Sequence, residues 1–212
     1  VNSKICIREK KNVYIKEVTK RFNASVDDPD GFLVSEVING FAHLKTPIIV
    51  DETPDIISTD FSWGLIPSWA KDSNFRKNTL NARIETVHEK AAFKSSTNNR
   101  CLIIATAYYE WRWLDPKGKV KVKYQISSQE DEIFAFAGLY DSWRHPQTGE
   151  LVNSYTMLTT EANETMKYVH NIKQRMPIML KKNDEKPWLD NSNLIKDFAY
   201  PYQANLIALP AS

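Results

Sequence analysis

The chain has 212 residues, of which 42% are hydrophobic, 11% aromatic and 25% charged, a balance that supplies a foldable core and excludes a disordered chain. A net charge of +2 permits a local anion-binding face without demanding one. The six glycines never stand closer than nine positions apart, which excludes both the G-x-G-x-x-G dinucleotide loop and the G-x-x-x-x-G-K phosphate loop.

In chain order, Lys4–Arg8 alternates weakly and predicts a short strand. Asn12–Phe22 places Ile15, Val18 and Phe22 on one helical face. Asp27–Gly31 is a loop by composition, and Pro47–Val50 and Ser62–Ile66 read as short strands. Arg100–Trp113 is the strongest strand signal, followed by a turn at Asp115-Pro116-Lys117-Gly118 and a return strand, Lys119–Tyr124. Ile133–Trp143 and Ser154–Thr159 are further strands, separated by a turn at Pro146–Gly149. Thr160 is placed to cap a helix running to His170. Many short strands and few helices predict a β-rich α+β fold with one closed or strongly curved sheet, and no boundary divides residues 1–212.

The longest uncharged stretch, Phe198–Ser212, contains Pro201, Gln203, Asn205 and Pro210 and is no membrane span. The first residues lack the apolar core of a signal peptide. Two cysteines, Cys6 and Cys101, make neither a disulfide framework nor a metal cage, and the histidines show no ligand spacing. The expected setting is cytoplasmic and reducing, with no cofactor and no metal.

Several residues carry potential chemistry. Cys6, in Ile5-Cys6-Ile7-Arg8, is either a small buried hydrophobe or a nucleophile with Arg8 as a nearby positive charge. Cys101, among Leu102, Ile103 and Ile104, reads as core. Glu110 sits between Tyr109 and Trp111. Such a carboxylate either faces water at an edge or is enclosed, with a displaced pKa suited to acid–base work. His170 is either a partner of a helix C-terminus or a catalyst. Arg83 is suited to gripping a phosphate or to a surface ion pair, and Asn81 is a side-chain donor. Lys117, Lys119, Lys121 and Lys123 share one strand face, either solvated or touching a polyanion. Trp63 and Trp69 flank a Gly-Leu-Ile-Pro segment, either as core or as platforms for unpaired bases.

Five blocks in order resemble the SOS response-associated peptidase family, whose members crosslink to abasic sites in DNA. They are Trp63–Ala70, Asn81–Thr86, Arg100–Ile103 continuing to Tyr109-Glu110-Trp111, Phe136–Tyr140, and Thr159–Asn163 continuing to His170 and Arg175-Met176-Pro177. The resemblance implies that a cysteine exposed as the first residue condenses through its α-amine with the abasic aldehyde and closes a thiazolidine with its thiol. It assigns the catalytic positions to Cys6, Asn81, Glu110 and His170, and the DNA contacts to Arg8, Arg83, Trp69 and Arg175. The implied partner is single-stranded DNA containing abasic sites, bound by a cytoplasmic, nucleoid-associated monomer.

Two departures stand out. The family has His-x-Arg-Met-Pro, whereas Asn171-Ile172-Lys173-Gln174 separate His170 from Arg175 here. Five residues precede Cys6, and an internal cysteine has no free amine. Either Ile5–Cys6 is cut, or residues 1–5 are an added leader that is not native, or the nucleophile lies upstream of Val1. Two other functions fit the same residues: a thiol peptidase or hydrolase using Cys6 and His170, and a non-catalytic module that binds single strands.

Overall fold

A computed structural model describes the backbone of residues 4–6 and 11–12 and both backbone and side chains of 13–34, 37–199 and 205–211. In chain order the elements are β1 (Lys4–Cys6), α1 (Lys11–Phe22), β2 (Ser25–Val26), β3 (Ile38–Asn39), β4 (Ile48–Val50), β5 (Ile56–Ser58), β6 (Ser62–Trp63), β7 (Asn81–Arg83), β8 (Arg100–Ala105), β9 (Ala107–Trp113), β10 (Lys121–Ser128), β11 (Phe134–Arg144), β12 (Leu151–Glu161), α2 (Glu164–Val169), β13 (Arg175–Pro177), α3 (Glu185–Leu189) and β14 (Leu206–Pro210). The fold is mixed α+β, dominated by its sheets.

The long strand expected over Arg100–Trp113 is two strands in two sheets. β8 lies in a sheet ordered β13-β12-β11-β8-β4-β5-β2, while β9 lies in a second, ordered β14-β10-β9-β1-β3. The chain changes sheet at Thr106. Both sheets are open among the described residues, which corrects the expectation of one closed or strongly curved sheet. The reason lies in the side chains. Every residue of β8 is buried, because the strand is covered on both faces, whereas β9 becomes only half-buried from Trp111 onward.

The two sheets share one core. Tyr108 of β9 meets Phe136 of β11 edge-on, with ring centres 5.5 Å apart. On the far side of the larger sheet α3 packs on β8, where Trp188 donates its indole N–H to the Cys101 carbonyl at 3.0 Å. Arg21 of α1 reaches the same layer as a two-pronged ion pair with Glu185, at 2.6 and 3.0 Å. Cys101 is fully buried, as its apolar neighbours predict, and burial pushes its thiol well up.

Two further readings are corrected. Thr160 does not cap α2, because it still belongs to β12; Asn163 is the cap, and its Oδ1 accepts the Met166 N–H at 3.0 Å. Of the four lysines, Lys117 and Lys119 lie in the turn before β10, and only Lys121 and Lys123 lie on the strand.

Candidate active site

Near its end, β12 is flanked on both sides. Thr159 pairs with Arg83 of β7 in parallel and with Pro177 of β13 in antiparallel register, so three strands present one row. The other sheet contributes Glu110 from β9. Together they enclose a cleft of about 150 Å³, lined by Asn81, Arg83, Glu110, Thr159, His170, Lys173, Arg175, Met176 and Pro177. Two adjoining lobes extend it. One of about 310 Å³ shares Asn81 and Arg83 and adds Phe75, Lys90 and Phe93; the other, of about 420 Å³, shares Glu110, His170 and Lys173 and adds Trp111, Trp113 and Lys121.

Glu110 is 3% exposed. Burial pushes its carboxyl up to about 7, against the opposing charge of Lys173. At neutral pH it is therefore divided between acid and base forms. Its enclosure comes from the change of sheet, because Tyr108 and Glu110 share a strand face and Tyr108 enters the inter-sheet core.

His170 follows α2 directly and is 8% exposed. Its Nδ1 lies 2.8 Å from the Arg175 carbonyl, which only accepts, so Nδ1 carries the proton of the neutral ring and Nε2 keeps a lone pair. Burial, with the nearby charges of Lys173 and Arg175, lowers its pKa and favours that neutral form.

Asn81 is half-buried, and its Oδ1 is enclosed with no hydrogen-bond partner among the described residues. Leaving such an oxygen bare costs about 1–3 kcal/mol, a penalty a ligand donor would relieve. Arg83 is exposed, and no acid lies within ion-pair distance of it among the described residues. The Trp pair divides: Trp63 is buried and donates to Leu80, while Trp69 is 52% exposed, packs edge-on against Phe75 at 5.0 Å and donates to the Ala91 carbonyl. The Trp69 ring thus keeps an open face on a fixed support.

Arg175 is held by protein groups. Its guanidinium forms a two-pronged pair with Glu85 at 2.7 and 2.8 Å and also donates to the Thr159 carbonyl at 2.7 Å. The insertion before it is ordered by its own hydrogen bonds. Asn171 accepts from the Trp113 N–H at 3.1 Å and donates to the Trp113 carbonyl at 2.9 Å; Gln174, at a left-handed φ of 49°, donates its N–H to the His170 carbonyl at 2.9 Å. Sequence reasoning passed over Lys173, Glu85 and Asn171. The break in the His-x-Arg-Met-Pro spacing was the available signal for Lys173.

The side chain of Cys6 and the whole of Arg8 lie outside the described residues. The Cys6 backbone pairs with Ala107, three positions along β9 from Glu110 and therefore about 10 Å by strand rise. Groups of His, Cys, Asp and Glu able to hold a metal do not occur among the described residues. No helix among them is long and apolar enough to cross a membrane.

A family model described as "SOS response associated peptidase (SRAP)" matches residues 5–211. The abasic site processing protein YoqW of Bacillus subtilis (strain 168) is 41% identical over 148 residues, 68% of this chain and 63% of that protein. The abasic site processing protein HMCES of Xenopus tropicalis is 33% identical over 148 residues, 60% of this chain and 43% of that one. The chain thus spans less than two thirds of the length of these relatives. A crystal structure of a Bacteroides thetaiotaomicron protein superposes with a TM-score of 0.88 and 30% identity, covering 99% of this chain and 91% of that one.

Proposed function

The chain belongs to the SOS response associated peptidase (SRAP) family, and from that premise we propose that it captures abasic sites in single-stranded DNA as a covalent thiazolidine. The observation that carries this reading is the meeting of Asn81, Glu110 and His170 in one cleft, with Arg83, which has no acid within ion-pair distance among the described residues, at its edge.

The chemistry follows from the state of each group. The closed sugar must first open, losing a proton from its C1′ hydroxyl and gaining one on the ring oxygen. Neutral His170, with its Nε2 lone pair, is the base for the first transfer. Glu110, half-protonated near neutrality, is the acid for the second and then takes a proton from the attacking amine. The α-amine of Cys6 and the aldehyde lose water to give an imine, and the thiol adds across the C=N bond to close the ring. Asn81 faces the reacting oxygen without titrating. Arg83 holds a phosphate, and Trp69 stacks on an unpaired base.

The α-amine requires cleavage of Ile5–Cys6, a self-processing step for which the same Glu110 and His170 are at hand. Cleavage also removes the pairings Lys4–Tyr109 and Ile5–Tyr108 that hold β1 in register, which leaves Cys6–Ala107 as the one pairing of the three. The protein acts as a monomeric single domain over residues 1–212, at the nucleoid.

The test is incubation with single-stranded DNA treated with uracil glycosylase. Protein beginning at Cys6 gives a heat-stable, gel-shifted adduct. Cys6→Ser gives none, and Glu110→Gln slows the reaction by about 10²-fold, the usual share of one acid–base group. A Cys6→Ser protein that forms the stable adduct at the parental rate refutes the reading.

A further inference from the structure

The central cleft has one cationic side chain at each end. Arg83 stands where it opens into the Phe75 and Lys90 lobe. Lys173 stands where it opens into the Trp111 and Trp113 lobe. Arg175 also lines the cleft, but its guanidinium is engaged by Glu85 and Thr159, and its side chain is only 16% exposed. Turning it toward a ligand would break a two-pronged ion pair. Lys173 is exposed, and no acid lies within ion-pair distance of it among the described residues.

The loop that carries Lys173 is built rather than loose. Asn171 locks it to the Trp113 backbone through both its amide atoms, and Gln174 closes it onto the His170 carbonyl. The Lys173 ammonium is near enough to act electrostatically on both Glu110 and His170. A phosphate is the ligand that an exposed ammonium beside a sugar-sized cleft recognises best, because it accepts from a point charge in any orientation.

We propose that Lys173, on the inserted loop between His170 and Arg175, grips the backbone phosphate flanking the abasic nucleotide at the end of the cleft opposite Arg83. Arg175 instead acts as a clasp, fixing through its carbonyl the imidazole of His170. The inference rests on the reading that this cleft receives single-stranded DNA. It assigns the phosphate contact to an inserted lysine rather than to the arginine of the Arg-Met-Pro block.

The experiment uses the full chain and a single-stranded oligonucleotide carrying one tetrahydrofuran residue, which has no aldehyde and so isolates binding from capture. Affinity is measured across a salt series. Lys173→Ala weakens binding and flattens the log–log salt slope by about 0.7, one counterion on a single strand. Lys173→Arg restores both, and Lys16→Ala, which removes an exposed charge from α1, leaves the slope unchanged. A Lys173→Ala slope equal to the parent's, or a matching loss in Lys16→Ala, overturns the proposal. If the parent crosslinks an authentic abasic strand while Lys173→Ala keeps the parental slope, the lysine assignment fails and the functional reading stands. If the parent binds with a steep slope that Lys173→Ala flattens, yet never crosslinks, the functional reading fails and the phosphate site stands. A parent that shows no salt-dependent binding overturns both.

Discussion

Glu110 sets the character of the site, because a carboxyl buried at 97% of its surface holds its proton more tightly in the folded chain than in the unfolded one. With a folded value near 7 and an ordinary value of 4.5, the folded state binds more protons between those limits. Stability conferred by this group is therefore complete below about pH 4.5 and is lost as pH rises through 7. Glu110→Gln, which resembles the protonated acid, should melt with the parent at pH 4.5 and above it at pH 8, by up to about 3 kcal/mol. Thermal denaturation at the two pH values checks this, and identical pH profiles for the two proteins would disprove it. Under the proposed function the same substitution slows crosslinking, and the carboxylate would then confer reactivity at a cost in stability. His170 complements it: burial lowers its pKa and favours the neutral ring.

At the scale of single elements, α2 shows what local chemistry decides. The helix has six residues and carries His170 immediately after its last turn, so its start fixes the imidazole's position. Asn163→Ala removes the acceptor for the Met166 N–H and should cost about 1 kcal/mol. Equilibrium unfolding in urea measures the loss, and crosslinking should fall with it. The position of this cap was only partly legible in the sequence. Thr160 and Asn163 are both good caps, and the choice was made by β12, which stays paired with β13 through Glu161 and so draws Thr160 into a strand. The change of sheet at Thr106 left no trace in the pattern, since apolar residues stand on both sides of it and neither Gly nor Pro marks it. Asn81, Arg83, Glu110 and His170, grouped in the sequence by the family resemblance, line one cleft; only Glu110, a carboxylate among aromatic residues, was conspicuous by itself, because such a charge is costly to bury. One block was structural in origin. A Cβ on Gly138 would stand 2.7 Å from Ile103 Cδ1 and 2.9 Å from the Thr156 carbonyl, so a glycine lets β11 pack between β8 and β12. The pairing of Arg175 with Glu85 was not legible, because the two are 90 positions apart in the chain and spacing alone does not reveal such a pair.

At the scale of the whole molecule, the Arg21–Glu185 pair ties α1 to α3 over the face of the larger sheet remote from the cleft, with both side chains about one-tenth exposed. Arg21 also donates to the Ile133 carbonyl at 3.1 Å. Removing one partner strands a buried charge, so Arg21→Ala should lose about 3–5 kcal/mol, while replacing both partners by apolar residues of similar size should recover most of it. Chemical denaturation of the single and double variants checks the pattern. A single variant as stable as the parent would mean that the pair contributes nothing.

The passage of the chain from one sheet to the other at Thr106 also has a bearing on failure. Asn81 and Arg83 belong to one sheet and Glu110 to the other, while His170 stands between β12 and β13 in the chain, so the cleft exists only while the two halves of the framework stay together. Damage that merely parts the halves, such as gentle heating or a loosened contact between Tyr108 and Phe136, leaves Arg83 in place but no longer faces it with Glu110. Under the proposed function such a protein would be more harmful than one that has unfolded outright, since it would occupy the lesion without protecting it.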